Sequence, residues 1–337
     1  MDSSEDNNEL PSPFTIEGKN SSGTYQLVPT SQKTVQPVAL LRLSVFTPVS
    51  PRERGKRDFT IDASEELSSL ELARSEGYTN IKITGMRLSM STDFKTWIGI
   101  IQAFSKYGYS SDKIELPFTE FASMCGLSSS DINKRARVRL RESMANIAGV
   151  VLSFSDKTGD KFTITHLVQK ATLDPKRDVI ELIGDPDMWE LYRYDHKVLL
   201  GLKVLGELSR KEAAQSLYIY FESMPSGPLF VSMKRLRDRL MMQSRVCDQN
   251  AVIRRALADL ERIGYLEYSE MKKGREIAFN ITGRHPKLLK EKPAPKPRGR
   301  KKKAITPVMS NLELIEFMQR VERGEADLSE LINKIKE

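Results

Sequence analysis

One order of elements recurs along this chain, and it restricts the possible fold more than any count of residues does. A long apolar-faced helix, a short helix, a basic helix and a β-hairpin are read once from Asp93 and again from Ser209. In the first copy "DFKTWIGIIQAFSKYG" places Phe94, Trp97, Ile98, Ile101 and Phe104 at helical spacing, with Asp93 as N-cap and Gly108 as terminator. The short helix "FTEFASMCG" follows, in which Ala122 is small enough for a close helix crossing and Gly126 suits a sharp left-handed turn. On a helical wheel from Asp131 to Ile147, Ile132, Ala136, Leu140, Met144 and Ile147 share one side. Lys134, Arg137 and Arg141 line the other, with Arg135 beside them, and few acids stand within the same turns to neutralise them. The strands "VVLSFS" and "KFTITHLV" around "DKTGD" read as the hairpin, closed by a third strand, "DVIELI".

The second copy begins with "SRKEAAQSLYIYFESM", which ends before Pro225, and continues through the short helix "VSMKRLRDRLMMQS" to "DQNAVIRRALADLERIG". Val252, Ile253, Ala256, Leu257, Leu260 and Ile263 form the inner face of that long helix, and Ala251, Arg254, Arg255, Ala258 and Arg262 the outer one. Alanines between arginines let a helix axis approach a DNA groove while guanidinium forks reach phosphates or guanine edges. Ser244, Arg245, Gln249 and Asn250 stand at the helix start, where base contacts are made, with Asp248 as the expected N-cap. "YLEYSEM" and "REIAFNI" form a hairpin whose tip, Lys272, Lys273, Gly274 and Arg275, suits backbone phosphates. Helices followed by a hairpin make the winged helix-turn-helix arrangement, so the expected class is α+β with two such domains in tandem.

The 337 residues fit about two domains. Residues 1–33 are polar and read as a disordered leader, 34–195 as the first domain and 196–285 as the second. "VALLRLSVF" (Val38 to Phe46) reads as a strand closed by Pro48, and "PRERGKRD" as an exposed, solvated loop. Residues 286–306 form a Pro- and Lys-rich linker, within which Lys296, Pro297, Arg298, Gly299, Arg300 and Lys301 have the form of an AT-hook. A narrow A·T minor groove attracts such arginines, and a generic basic linker explains the same residues equally well. Residues 307–337 read as short amphipathic helices docked on the body.

A net charge of +8 directs attention to an anionic partner. No run nears the roughly 18 apolar residues of a membrane span, and the acidic N-terminus is unlike a secretory signal, so a cytoplasmic protein is expected without membrane association. Cys125 and Cys247 suggest neither disulfide nor zinc and read as small buried hydrophobes. His166, His196 and His285 are too far apart for a nickase metal site, and Tyr192 to Asp195 ("YRYD") reads as core packing at the domain junction. No phosphate-cradling GxxxxGK[ST] occurs, and Asp185 of "GDPDMWE" reads as a cap ahead of Pro186. No enzymatic activity, cofactor or metal is therefore expected.

The stretches "TVQPVALLRLSVFTP", "KIELPFTEFASMCG", "IAGVVLSFS", "YDHKVLLGLK", "AAQSLYIYFESMP" and "RIGYLEYSEMKKGR" resemble the theta-type, iteron-binding plasmid replication initiators, and most of all those of FIB replicons. The resemblance covers roughly Thr34 to Ile281. It implies a C-terminal domain docked on direct repeats and an N-terminal domain adding DNA contacts and a dimer interface. It further implies opening of an adjacent A·T-rich region, recruitment of the host initiator and helicase, a monomer–dimer equilibrium, and repression of its own promoter. A plain dimeric repressor, using the same folds without opening an origin, is the alternative.

Overall fold

The computed structural model describes residues 14–20, 23–49, 59–67, 77–108, 113–185, 189, 192, 196–274, 276–285, 319–320 and 323. Chain packing separates residues 1–288 from residues 289–337, and all that follows concerns the former. The expected disordered leader is in part a hairpin, with β1 (Ile16–Asn20) antiparallel to β2 (Gly23–Leu27). Its polar composition hid one anchor: Phe14 is fully buried, edge-on to Trp189 and Tyr192 at centroid distances of 5.0 and 5.2 Å. The strand expected over Val38 to Phe46 is displaced upstream to β3 (Lys33–Pro37). Val38–Arg42 is instead a short helix, α1, that buries Ala39, Leu40 and Leu41, before β4 (Phe46–Thr47). A continuous apolar run fits either element, and packing decides.

β5 (Phe59–Asp62), α2 (Ser64–Leu67), β6 (Asn80–Gly85) and β7 (Leu88–Ser89) lead into α3 (Asp93–Tyr107). Asp93 is the first helical residue rather than the cap. The Ser89 hydroxyl receives the Thr92 and Asp93 N–H groups at 3.3 Å, while the buried Asp93 carboxylate turns back to the Ser89 N–H at 2.7 Å. α3 ends at Gly108, whose φ of +93° is costly for other residues. Then come β8 (Ile114–Pro117), α4 (Phe118–Met124) and α5 (Lys134–Ala148). Ala122 is fully buried, and α3 also passes close to the end of α4, where a Cβ on Gly99 would lie 2.4 Å from Sγ of the C-cap Cys125.

The strands after α5 differ from expectation. β9 (Val151–Ser155) and β10 (Phe162–His166) pair with each other, but they extend a four-stranded sheet in the order β10-β9-β6-β5. The hairpin that completes the first half comes later, as β11 (Lys170–Asp174) and β12 (Val179–Ile183), and β12 pairs with β8. The sheet order β8-β12-β11 thus places the strand preceding the two helices at one edge, with β12 in the middle.

β13 (Lys197–Gly201) and α6 (Leu202–Glu207) precede α7 (Glu212–Glu222). β14 (Leu229–Ser232), α8 (Met233–Leu240), α9 (Val246–Arg262), β15 (Leu266–Lys273) and β16 (Glu276–Arg284) complete the second half. Its sheet order, β14-β16-β15, repeats that of the first half strand for strand. The two halves therefore share a topology, with β9 and β10 inserted between helix and hairpin in the first alone.

The boundary read at residues 195/196 is not a break in packing. β13 pairs antiparallel with β3, and one apolar core runs through both halves. Trp97 and Tyr192 meet inside it, where the indole N–H and the phenol hydroxyl both donate to Gln36 Oε1 at 3.0 Å. Arg239 of α8 is 4% exposed and donates to the carbonyls of Leu41 at 3.1 Å and Phe46 at 3.4 Å. In return the Ser44 hydroxyl donates to the Arg239 carbonyl at 2.9 Å, and Arg42 and Arg87 reach the carbonyls of Ser223 and Met241. Burial pushes the Arg239 pKa down to about 10, still well above neutrality, so a cation fastens the two halves together through main-chain oxygens.

Candidate nucleic-acid interface

α5 starts cleanly because Asn133 Oδ1 accepts the Ala136 N–H at 3.0 Å. Ala136, Leu140, Met144 and Ile147 are buried, which turns Lys134, Arg135, Arg139 and Arg141 to solvent. Arg137 departs from the expected free row. It is half-buried, with its guanidinium 4.1 Å from the Phe118 ring centre and forked onto the Asp178 carboxylate, the second oxygen lying at 3.3 Å. The missing acid comes from the β11–β12 turn rather than from the helix itself, so i,i+4 counting could not find it. Arg139 is a further exposed cation of this helix.

α9 buries Ile253, Ala256, Leu257 and Leu260, while Ala251, Arg255, Ala258 and Arg262 are exposed. Its N-cap is Arg245, so Asp248 sits in the first turn instead of capping it. The turn ahead of the helix is held from inside it: Gln249 Nε2 donates to the carbonyls of Met242 at 2.9 Å and Ser244 at 2.6 Å. Asn250 Oδ1 accepts from Arg237 Nη1 at 2.9 Å. Both amides, expected to face bases, thus fix the helix entry, where Gln243, Ser244, Arg245 and Asp248 are the exposed polar groups. Val246, at the first helical position, is 56% exposed. Exposed Cys247 beside it is likewise not the buried hydrophobe expected, whereas Cys125 is buried.

Arg254 forks onto Glu270 of β15, Nε to Oε2 and Nη2 to Oε1, both at 2.8 Å. That contact holds the Glu270 carboxylate below the usual glutamate range and raises the Arg254 pKa further. Arg262 lies 3.4 Å from Asp259 within the helix. The β15–β16 tip turns at Gly274, φ +65°, with Lys272 exposed beside it. Arg275 and the Lys273 side chain lie outside the described residues, as do Lys296, Pro297, Arg298, Gly299, Arg300 and Lys301, the "PRERGKRD" loop, and nearly all of the C-terminal segment. Asp185 accepts the His166 N–H at 3.0 Å, while its carbonyl receives the Trp189 N–H as in a first helical turn. Among the described residues no group of three His, Cys, Asp or Glu could hold a metal ion, and no helix is long and apolar enough to cross a membrane.

Cations are ranked along the outer faces of two helices, each beside its own hairpin, the charge arrangement that suits a polyanion. No family model matches the chain. It is 47% identical over 289 residues to a RepFIB replication protein A of Escherichia coli, covering 82% of this chain and 89% of that protein. A RepFIB replication protein A of Salmonella typhi is 48% identical over 276 residues, covering 80% and 85%. A replication protein RepA of Salmonella typhi is 42% identical over 315 residues, covering 93% and 90%. The chain belongs to the RepFIB replication protein A family, the one its sequence resembles. Among solved structures, domains 2 and 3 of RctB align with a TM-score of 0.46 at 12% identity, over 73% of this chain and 98% of that one.

Proposed function

We propose that this protein initiates plasmid replication by binding direct repeats at an origin through two tandem winged helix-turn-helix domains. The single observation that carries this reading is the outer face of α9, where exposed Ala251, Arg255, Ala258 and Arg262 lie beside a hairpin bearing Lys272. Small residues admit the helix into a major groove, the arginines reach base edges or phosphates, and the wing holds the backbone. α5, with Lys134, Arg135, Arg139 and Arg141, adds contacts to a second stretch of duplex. The protein performs no covalent chemistry in this reading and takes no cofactor or metal. Strand opening draws on binding energy, by bending and untwisting a deformable A·T-rich segment.

The same reading has the protein recruit the host initiator and helicase in the bacterial cytoplasm, and repress its own promoter as a dimer. Exposed Phe162 and Ile164 on β10, an edge strand of the four-stranded sheet, support self-association. The test is a footprint on the protein's own replicon DNA at two salt concentrations, with permanganate probing of nearby thymines. Protected direct repeats at helical-turn spacing beside reactive thymines are expected. Protection of one inverted repeat without reactive thymines would replace initiation by plain repression.

A further inference from the structure

The two halves share a contact that their sequences do not share. In each, an arginine of the basic helix is forked onto a carboxylate supplied by its own hairpin: Arg137 onto Asp178, and Arg254 onto Glu270. The acids arrive by different routes. Asp178 stands at the mouth of β12 with φ +56°, a left-handed conformation that Asp tolerates better than most residues, whereas Glu270 projects from the middle of β15. Glu270 also lies two residues from Lys272 on the same face of its strand, between two cations that DNA phosphates would otherwise engage.

Partly exposed ion pairs of this kind stabilise a fold only slightly. Their larger consequence is felt by an approaching polyanion, which finds the guanidinium already bound by both oxygens of a carboxylate. A phosphate can accept the same two bonds, but it meets the carboxylate's charge as a repulsion. The N7 and O6 edge of a guanine is neutral and meets no such repulsion. The carboxylate therefore penalises capture by backbone charge alone and leaves base-directed capture nearly intact.

We propose that Glu270 is a specificity-determining residue that suppresses binding to DNA lacking the repeats, while Asp178 in the first half withholds Arg137 from phosphates. This rests on the DNA-binding reading given above. Glu270→Gln keeps the size and polarity of the side chain but removes its charge. In the full-length protein it should raise affinity for a duplex of scrambled sequence about two- to fivefold. The slope of log affinity against log salt should steepen by about 0.9, one additional phosphate contact. Affinity for the protein's own repeats should change less, so the preference for repeats falls. In an Arg254→Met background the same substitution should have no effect on the salt slope. Asp178→Asn should steepen the salt slope in the same way, on both DNAs alike.

A salt slope unchanged by Glu270→Gln and by Asp178→Asn, or a loss of affinity on both DNAs alike, would make the carboxylates mere braces for the hairpins and overturn the proposal. If the unsubstituted protein shows no preference for its repeats, the DNA-binding reading fails and the proposal falls with it. That result is distinguishable because it precedes any substitution.

Discussion

The basic helices of the two halves have the same neighbours in topology and different surroundings in space. In the first half α5 presents four exposed cations, but its central arginine is half-buried over Phe118, and the β9–β10 insertion separates the helix from its hairpin in sequence. In the second half α9 runs directly into β15, alternates alanine with arginine along its outer face, and begins with an exposed Val246. Small residues between cations let a helix enter a groove; on α5 the exposed Val138 and Ala145 are the short ones, and the cations crowd into the first two turns. Under the proposed function, α9 is the helix that reads sequence and α5 the one that holds the backbone.

The largest effect concerns what makes the two halves comparable as parts of one body. Arg239→Ala removes a buried cation and leaves the Leu41 and Phe46 carbonyls without their donor. A loss of about 2–5 kcal/mol is expected, with one calorimetric transition broadening or dividing into two. An unchanged single transition would show that the halves are held together by apolar packing alone.

Next in size, Arg255→Ala should cost about 1–3 kcal/mol on the protein's own repeats at fixed salt. Measured by titration, an unchanged affinity would remove α9 from its reading role. Val246→Ala tests the same helix through an apolar contact worth about 1 kcal/mol or less. Replacing repeat thymines one at a time by deoxyuridine deletes only the C5-methyl group. One position should weaken binding of the unsubstituted protein and have no effect on the variant.

The smallest effect is a pH dependence carried by the second half. Burial pushes the Glu222 carboxyl above the usual glutamate range, although the Tyr265 hydroxyl donates to it at 2.5 Å. The folded state therefore holds a proton that the unfolded state releases. Stability should fall as pH rises from the ordinary glutamate pKa to the raised one, and the lost part stays lost at neutrality. Glu222→Gln should flatten that slope and leave the protein no less stable at pH 7, within about 1 kcal/mol. Denaturant melts from pH 4 to 7 give the comparison.

Helices were legible where periodicity and terminators coincide. α3 from Asp93 to Gly108 and the inner face of α9 follow from the spacing of Trp97, Ile101 and Phe104 and of Ile253, Leu257 and Leu260. What eluded sequence reading depends on partners distant in the chain. β8 and β14 are four residues each and become strands only because later hairpins pair with them. The β9–β10 hairpin was visible as a hairpin, yet nothing local says that β6 will take its free edge. The cations at the interface could be counted from sequence. That Asp178 and Glu270 hold two of them could not, because 41 and 16 residues separate the members of those pairs. Gln249 and Asn250 resembled base-reading amides for the same reason: their actual partners, the Met242 carbonyl and Arg237, lie in the preceding turn and helix.

The most direct test of this division of labour is a competition titration of Arg255→Ala and Arg135→Ala against the protein's own repeats and a scrambled duplex at one salt concentration. Arg255→Ala should erase much of the preference for repeats, while Arg135→Ala should weaken both DNAs by the same factor. The reverse pattern, with the preference lost only through α5, would contradict the assignment of sequence reading to the second half.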